Sequence, residues 1–189
     1  MSIVITVTCG HLGRAAVEAV LDRSTDPAEV IAGARDLAKI IDHAARGVHT
    51  AVIDYDDPTT ITPVYMFVLI SGTALANRDR QHTEEIAAVA KAGAARIIYT
   101  SGLKADDTAL STAAMHLPTE DACVPAGCRS RSCAAAGTAR TTAATSSPPF
   151  ARPVPLSSTG DGVVASASGR NLAEIIAVVV TTEEHQGKT

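Results

Sequence analysis

Short, nearly continuous apolar runs alternate along this chain with segments whose apolar residues recur at helical spacing. A β-branched run opens at Ile3 and passes through a Gly-containing turn, Thr8 to Gly13, into an apolar helical pattern. Glu29 to Ala34 reads as a second strand ending near Arg35. Asp36 to Arg46 follows as a short helix, with Asp36 as N-cap and Gly47 as C-cap. Val48 to Asp54 is a third strand, closed by the turn Asp54-Tyr55-Asp56-Asp57-Pro58. Tyr65 to Ile70 is a fourth, ending at Ser71-Gly72. His82 to Ala92 is a helix stopped by Gly93, and Ala95 to Thr100 is a fifth strand ending at Ser101. Strands apolar on both faces, alternating with helices, predict an α/β fold: a doubly wound parallel sheet of the Rossmann-like kind, incomplete at its C-terminal side.

In such a sheet the first turn carries phosphate chemistry. Small residues let backbone N–H groups approach a pyrophosphate, and the next helix points its positive end at the same anion. Gly10-His11-Leu12-Gly13 keeps the last two glycines of the usual G-x-x-G-x-x-G spacing, but Val7 stands where the first glycine is expected. Glycines after strands also serve as plain turns, so this motif alone leaves both readings open.

Composition narrows the class. At 189 residues the chain is long enough for one good core and too short for two full domains. A net charge of −4 gives no global basic field for nucleic acid or an anionic membrane. No apolar run reaches the length of a bilayer span, and Met1-Ser2-Ile3 leads directly into a strand. The expectation is a cytoplasmic protein with no membrane, nucleic-acid or metal partner and an undetermined oligomeric state.

An ordered set of stretches resembles the NmrA-like atypical short-chain dehydrogenases, especially their quinone-oxidoreductase-like NAD(P)H-binding branch. The set comprises Gly10-His11-Leu12-Gly13, Ala34 to Lys39, Ala45 to Val48, Asp54 to Pro58, Leu69-Ile70-Ser71-Gly72, Gln81-His82 and Ala90 to Ser101. Further matches are His116 followed by Thr119-Glu120, and Gly160-Asp161-Gly162 leading into Ala165-Ser166-Ala167. The resemblance implies cofactor contacts from Gly10, His11, Leu12 and Gly13, and from Arg35 and Lys39. It favours NADP(H) over NAD(H), because a planar guanidinium after the second strand suits the adenosine 2′-phosphate. Arg35 and Lys39 also fit as plain surface cations. Ser71, Gly72, Thr100 and Ser101 end strands on the carboxyl edge, where their hydroxyls line a ribose and nicotinamide channel or simply close turns.

Catalytic residues are not visible. Ordinary short-chain dehydrogenases use Tyr-x-x-x-Lys, and Tyr99 has Leu103 four residues later and Lys104 five later. His116 and Glu120 stand at a spacing of four, but Pro118 between them argues against a regular helix. The implied function is an NAD(P)H-binding protein derived from a quinone or small-carbonyl oxidoreductase, with a small-molecule substrate if active. A non-catalytic dinucleotide-binding regulator and an inactive damaged gene product are the alternatives.

One segment breaks the pattern. From Gly127 to Pro149 the chain has no Val, Ile, Leu, Met, Phe, Tyr or Trp, while arginines accumulate and three of the four cysteines lie in or beside it. Such a stretch buries too little apolar surface to offset its conformational entropy. Read one base out of register in GC-rich codons, it permits the Pro-aromatic-Thr-Ile-Leu-Arg-x-Gly-Trp-Tyr stretch of the resembled family. The chain therefore divides into an NAD(P)-binding domain over 1–126, an irregular segment over 127–159 that reads as a frameshifted remnant, and the start of a substrate domain over 160–189. A natural linker is the alternative for the middle segment. The expectation is that Gly127–Thr138 supplies no sixth strand, that a strand follows at Val163–Ala167, and that a helix runs from Asn171 to about Thr181.

Overall fold

Ile3, Val4 and Ile5 are all buried, with Ile3 and Ile5 facing one layer of the molecule and Val4 the other. A three-residue strand apolar on both faces belongs at the centre of a covered parallel sheet, and that is where the chain puts it. The computed structural model describes residues 2–102, 105–107, 111–124, 131–134 and 167–182. Its strands are β1 (Ile3–Ile5), β2 (Val30–Ala34), β3 (His49–Val52), β4 (Met66–Leu69), β5 (Arg96–Ser101) and β6 (Arg131–Ala134). All pair in parallel in the order β3-β2-β1-β4-β5-β6, a reversal of direction at β1 and β4 that leaves a crevice at the carboxyl edge.

Helices cover both faces. α1 (His11–Asp22) buries Ala16, Val17 and Val20 against the sheet. It packs beside α6 (Gly169–Thr181), which buries Leu172, Ala173, Ile176, Ala177 and Val180. Ser168 caps α6 by accepting from the Asn171 N–H at 3.0 Å. The guanidinium of Arg96 at the start of β5 donates to the Val179 carbonyl at 2.8 Å, tying α6 to the sheet. The opposite face carries α3 (Arg78–Lys91) and α5 (Leu117–Cys123), whose Ile86, Val89 and Cys123 pack on Phe67, Leu69, Ile97 and Tyr99. Short helices α2 (Ile41–Ala45) and α4 (Ser111–Ala114) complete the described α-helices.

Local expectations hold with small shifts of boundary. Asp36 accepts from the Ala38 N–H at 3.1 Å, but the segment it opens is a 3₁₀ turn, Leu37–Ile40, before α2. Gly47 and Gly93 both end helices at φ +86°, the left-handed region that a Cβ resists. Pro58–Thr60 is a 3₁₀ turn before β4.

Two expectations need correction. The window Gly127–Thr138 does supply strand: Arg131–Ala134 pairs in parallel with Ile98–Ser101 of β5. The requirement for large apolar residues on both faces belongs to central strands, and among the described residues β6 pairs with β5 alone, through main-chain hydrogen bonds that do not depend on the side chains. The rest of the segment 127–159 lies outside the described residues, as does the expected strand Val163–Ala167 apart from Ala167. Pro118, in turn, does not interrupt a helix. It sits in the first turn of α5, where a missing N–H costs nothing.

Candidate functional site

The turn between β1 and α1 is built by close contact. The Gly10 N–H donates to the Val7 carbonyl at 2.9 Å, closing the loop under the helix. A Cβ on Gly13 would overlap the Val7 carbonyl, so only glycine lets the helix approach this tightly. Val7 itself lies at φ +54°, a conformation costly for a β-branched residue and natural for the glycine that the fingerprint expects there. Gly10 precedes α1 without a side-chain cap, and the first turn holds no acidic residue, so the positive end of the helix is open to an anion.

A cleft opens beside this turn along the carboxyl edge. Val7 and Cys9 line it from the turn, Ala34 and Arg35 from the end of β2, Asp54 to Asp56 from beyond β3, Gly72 to Ala74 from beyond β4, and Gln81 from α3. Arg35 makes no ion pair or hydrogen bond among the described residues. Asp56 across from it is held by Arg80, which donates to it at 2.8 Å and also to Glu84 at 2.7 Å. Bonds from Gln81 and Arg80, together with the charges of Arg80 and Arg35, keep the Asp56 carboxyl below its ordinary pKa. Arg80 thus meets the acid at the cleft rim and leaves the Arg35 guanidinium available to a phosphate. Lys39 does not line this cleft. Its ammonium pairs with Asp36 at 3.6 Å.

The remaining sequence-predicted residues lie further along the same edge. Thr100 accepts from the Ser71 N–H at 2.9 Å, stitching β4 to β5 beyond their last ladder pair. The Ser71 hydroxyl is buried and close to the Tyr99 phenol. Ser101 donates to the Glu120 carboxylate on α5. These features fit a dinucleotide: a backbone cradle that a Cβ would fill, an uncapped helix end and a guanidinium lining the cleft, in sequence along one edge.

Sequence reasoning missed a buried cluster behind this edge. Tyr55 reaches under the cleft, its hydroxyl 2.8 Å from the Ile70 carbonyl and 2.6 Å from the Thr6 hydroxyl, and burial raises its pKa. His82 stands edge-on to it at 5.5 Å and edge-on to Tyr99 at 5.6 Å. The His82 Nε2 accepts from the Gly72 N–H at 3.2 Å, which assigns its proton to Nδ1, 3.0 Å from the Thr119 hydroxyl. Tyr99 meets His116 at the start of α5, oxygen to Nδ1, at 2.7 Å. Arg78 is buried among them and donates to the Met115 carbonyl at 2.6 Å. Burial and the Arg78 charge together push the pKa of both His82 and His116 down to about 4. One signal was present. In a chain with 3% aromatic residues, two of the three tyrosines lie at this edge, within stretches that carry the family resemblance.

Known proteins share this fold. The chain is 30% identical over 190 residues to quinone oxidoreductase 2 of Escherichia coli, covering 98% of this chain and 66% of that protein. The structure of that NADPH-dependent enzyme with NADPH superposes with a TM-score of 0.87. The Citrobacter sp. triphenylmethane reductase complexed with NADP(H) superposes equally well, at 0.87, with 25% identity over the whole of this chain and 68% of that one. The chain belongs to the NmrA-like atypical short-chain dehydrogenases. No family profile matches it. It spans 66% of the length of the E. coli protein. No helix among the described residues is long and apolar enough to cross a membrane.

Proposed function

We propose that the chain binds NADP(H) and forms the cofactor half of a reductase acting on a quinone or a similar small carbonyl compound. The observation that carries this reading is Arg35, an unpaired guanidinium lining the cleft after β2 where a 2′-phosphate would stand. The first turn of α1, from Gly10 through His11 and Leu12 to Gly13, would hold the pyrophosphate through backbone N–H groups and the helix dipole. Lys39 would add positive charge at longer range. Ser71, Gly72, Thr100 and Ser101 would border the ribose and nicotinamide along the edge. A bound reduced nicotinamide supplies a hydride. The chain itself has to orient the acceptor, exclude water and manage one proton.

A non-catalytic dinucleotide-binding regulator is the second reading, and Val7 favours it. A strained β-branched residue at the phosphate turn weakens binding in a way that suits a sensor better than an enzyme of rapid turnover. Two measurements separate the readings. Calorimetric titration with NADPH tests binding, and loss of the cofactor's near-ultraviolet absorbance in the presence of a soluble benzoquinone tests turnover. Binding without turnover supports the regulator. No binding of either cofactor sinks both.

A further inference from the structure

Two-electron reduction of a quinone by a hydride leaves one ring oxygen as an oxyanion that still needs a proton. Among the described residues, Tyr99 and His116 at the carboxyl edge are a hydrogen-bonded pair able to deliver it. The Tyr99 hydroxyl lies 2.7 Å from His116 Nδ1, with the two rings tilted at 43° and their centres 5.8 Å apart. Tyr99 is 1% exposed, whereas His116 is only partly buried. The imidazole lies against Gly102, immediately past the end of β5, where a Cβ would stand 3.2 Å from its Cδ2. Glycine at this position lets the ring stand close beside the strand end.

The other charged and titratable groups around the pair fix its protonation. His82 is committed at both nitrogens, to Gly72 and to Thr119. The Thr119 and Ser71 hydroxyls also reach the Tyr99 phenol, and Cys123 lies near it, so that His116 is the one imidazole bonded to it. Arg78 is 3% exposed, makes no ion pair among the described residues, and its Nε has no hydrogen-bond partner there. Its hold on the Met115 carbonyl places the guanidinium one residue before His116. Glu120, four residues on, is occupied by the Ser101 hydroxyl. Burial, with the Arg78 charge added to it, keeps both imidazoles neutral at neutral pH. A neutral His116 that accepts from Tyr99 at Nδ1 carries its proton at Nε2.

We propose that Tyr99 and His116 form the proton relay of this reductase, with Arg78 as the counter-charge, a role that rests on the reading of the chain as a quinone or carbonyl reductase. The His116 Nε2–H bond breaks as an O–H bond forms on the reduced acceptor. In the same step the Tyr99 O–H bond breaks and an Nδ1–H bond forms. The tyrosinate stands beside Arg78, whose charge opposes the rise that burial imposes on the Tyr99 pKa. After product leaves, Nε2 takes a proton from solvent and Nδ1 returns its own to Tyr99. Hydride and proton together convert quinone to hydroquinone, and the residues end as they began.

The test compares two acceptors. A quinone needs a hydride and a proton, whereas a cationic triphenylmethane dye takes a hydride alone to become its neutral leuco form. In Tyr99→Phe and His116→Phe the ratio of quinone to dye turnover should fall by about a hundredfold, the lower end of the range for a lost proton donor. A second readout needs no turnover. Nitrogen NMR of the cofactor-free protein at neutral pH should show His116 as the Nε2–H tautomer, and Tyr99→Phe should abolish that preference. An unchanged ratio, or a His116 found as imidazolium or as the Nδ1–H tautomer, overturns the relay and leaves the reductase reading standing. A wild-type chain that reduces neither acceptor overturns both.

Discussion

The carbonyl oxygen of Val7 fills the space in which a side chain on Gly13 would begin. Helix α1 can therefore start as close to the end of β1 as it does only because residue 13 has no Cβ. Replacing Gly13 with Ala should push the helix away from the turn and cost about 1–3 kcal/mol of stability, the range for overpacking a tight site. A urea midpoint equal to that of the unmodified chain would show that the turn relaxes freely.

Val7 is the other half of the same contact and the place where this chain departs from the usual glycine spacing. Its φ of +54° is unfavourable by roughly 1–2 kcal/mol for a residue with a Cβ. Val7→Gly removes that strain and frees the phosphate turn, while giving up the partial packing of the Val7 side chain on the core. Stability should change little, and affinity for NADPH should rise. Tight calorimetric binding in the unmodified chain, unaltered by the substitution, would place the pyrophosphate elsewhere.

Central strands announced themselves because both faces are buried. Ile3–Ile5 and Met66–Leu69 leave no exposed position, so an unbroken apolar run is their direct consequence. Strand β6 carried no such signal, since its pairing to β5 is a main-chain property. The glycine turn was legible because its tight approach, Gly13 against the Val7 carbonyl, is local to the end of one strand. The cluster of His82, Tyr99 and His116 was not, because it joins α3, β5 and α5 through tertiary packing that spacing does not encode. Pro118 misled for a local reason. Its effect depends on whether it falls in the first turn of a helix or beyond it.

Arg35 should decide which cofactor the cleft prefers. Its guanidinium has no carboxylate partner among the described residues, and Asp56 opposite is already bonded to Arg80. Arg35→Ala should remove about 1.5–3 kcal/mol of the preference for NADPH over NADH, the scale of one charge-assisted contact. Binding of NADH should be nearly unaffected. Equal affinity for both cofactors in the unmodified chain would contradict the assignment.

Glu85 makes a prediction about pH that is independent of any ligand. This carboxyl on α3 is fully buried beneath the cleft, and neither oxygen has a hydrogen-bond partner among the described residues. Burial, reinforced by the nearby Asp54, raises its pKa from 4.5 to about 8. Below pH 4.5 the folded and unfolded chains both hold the proton, and the group brings no pH-dependent penalty. Between the two values the unfolded chain has released its proton while the folded chain keeps it, so stability falls as pH rises. Above about pH 8 the penalty is complete, on the order of a few kcal/mol. Glu85→Gln keeps the shape and cannot ionise. Urea midpoints of the two proteins should therefore differ least in mild acid, with the variant gaining steadily on the parent chain up to about pH 8. A difference that stays constant across this range would mean that Glu85 is ionised in the folded protein at neutral pH, with a partner or water that satisfies it.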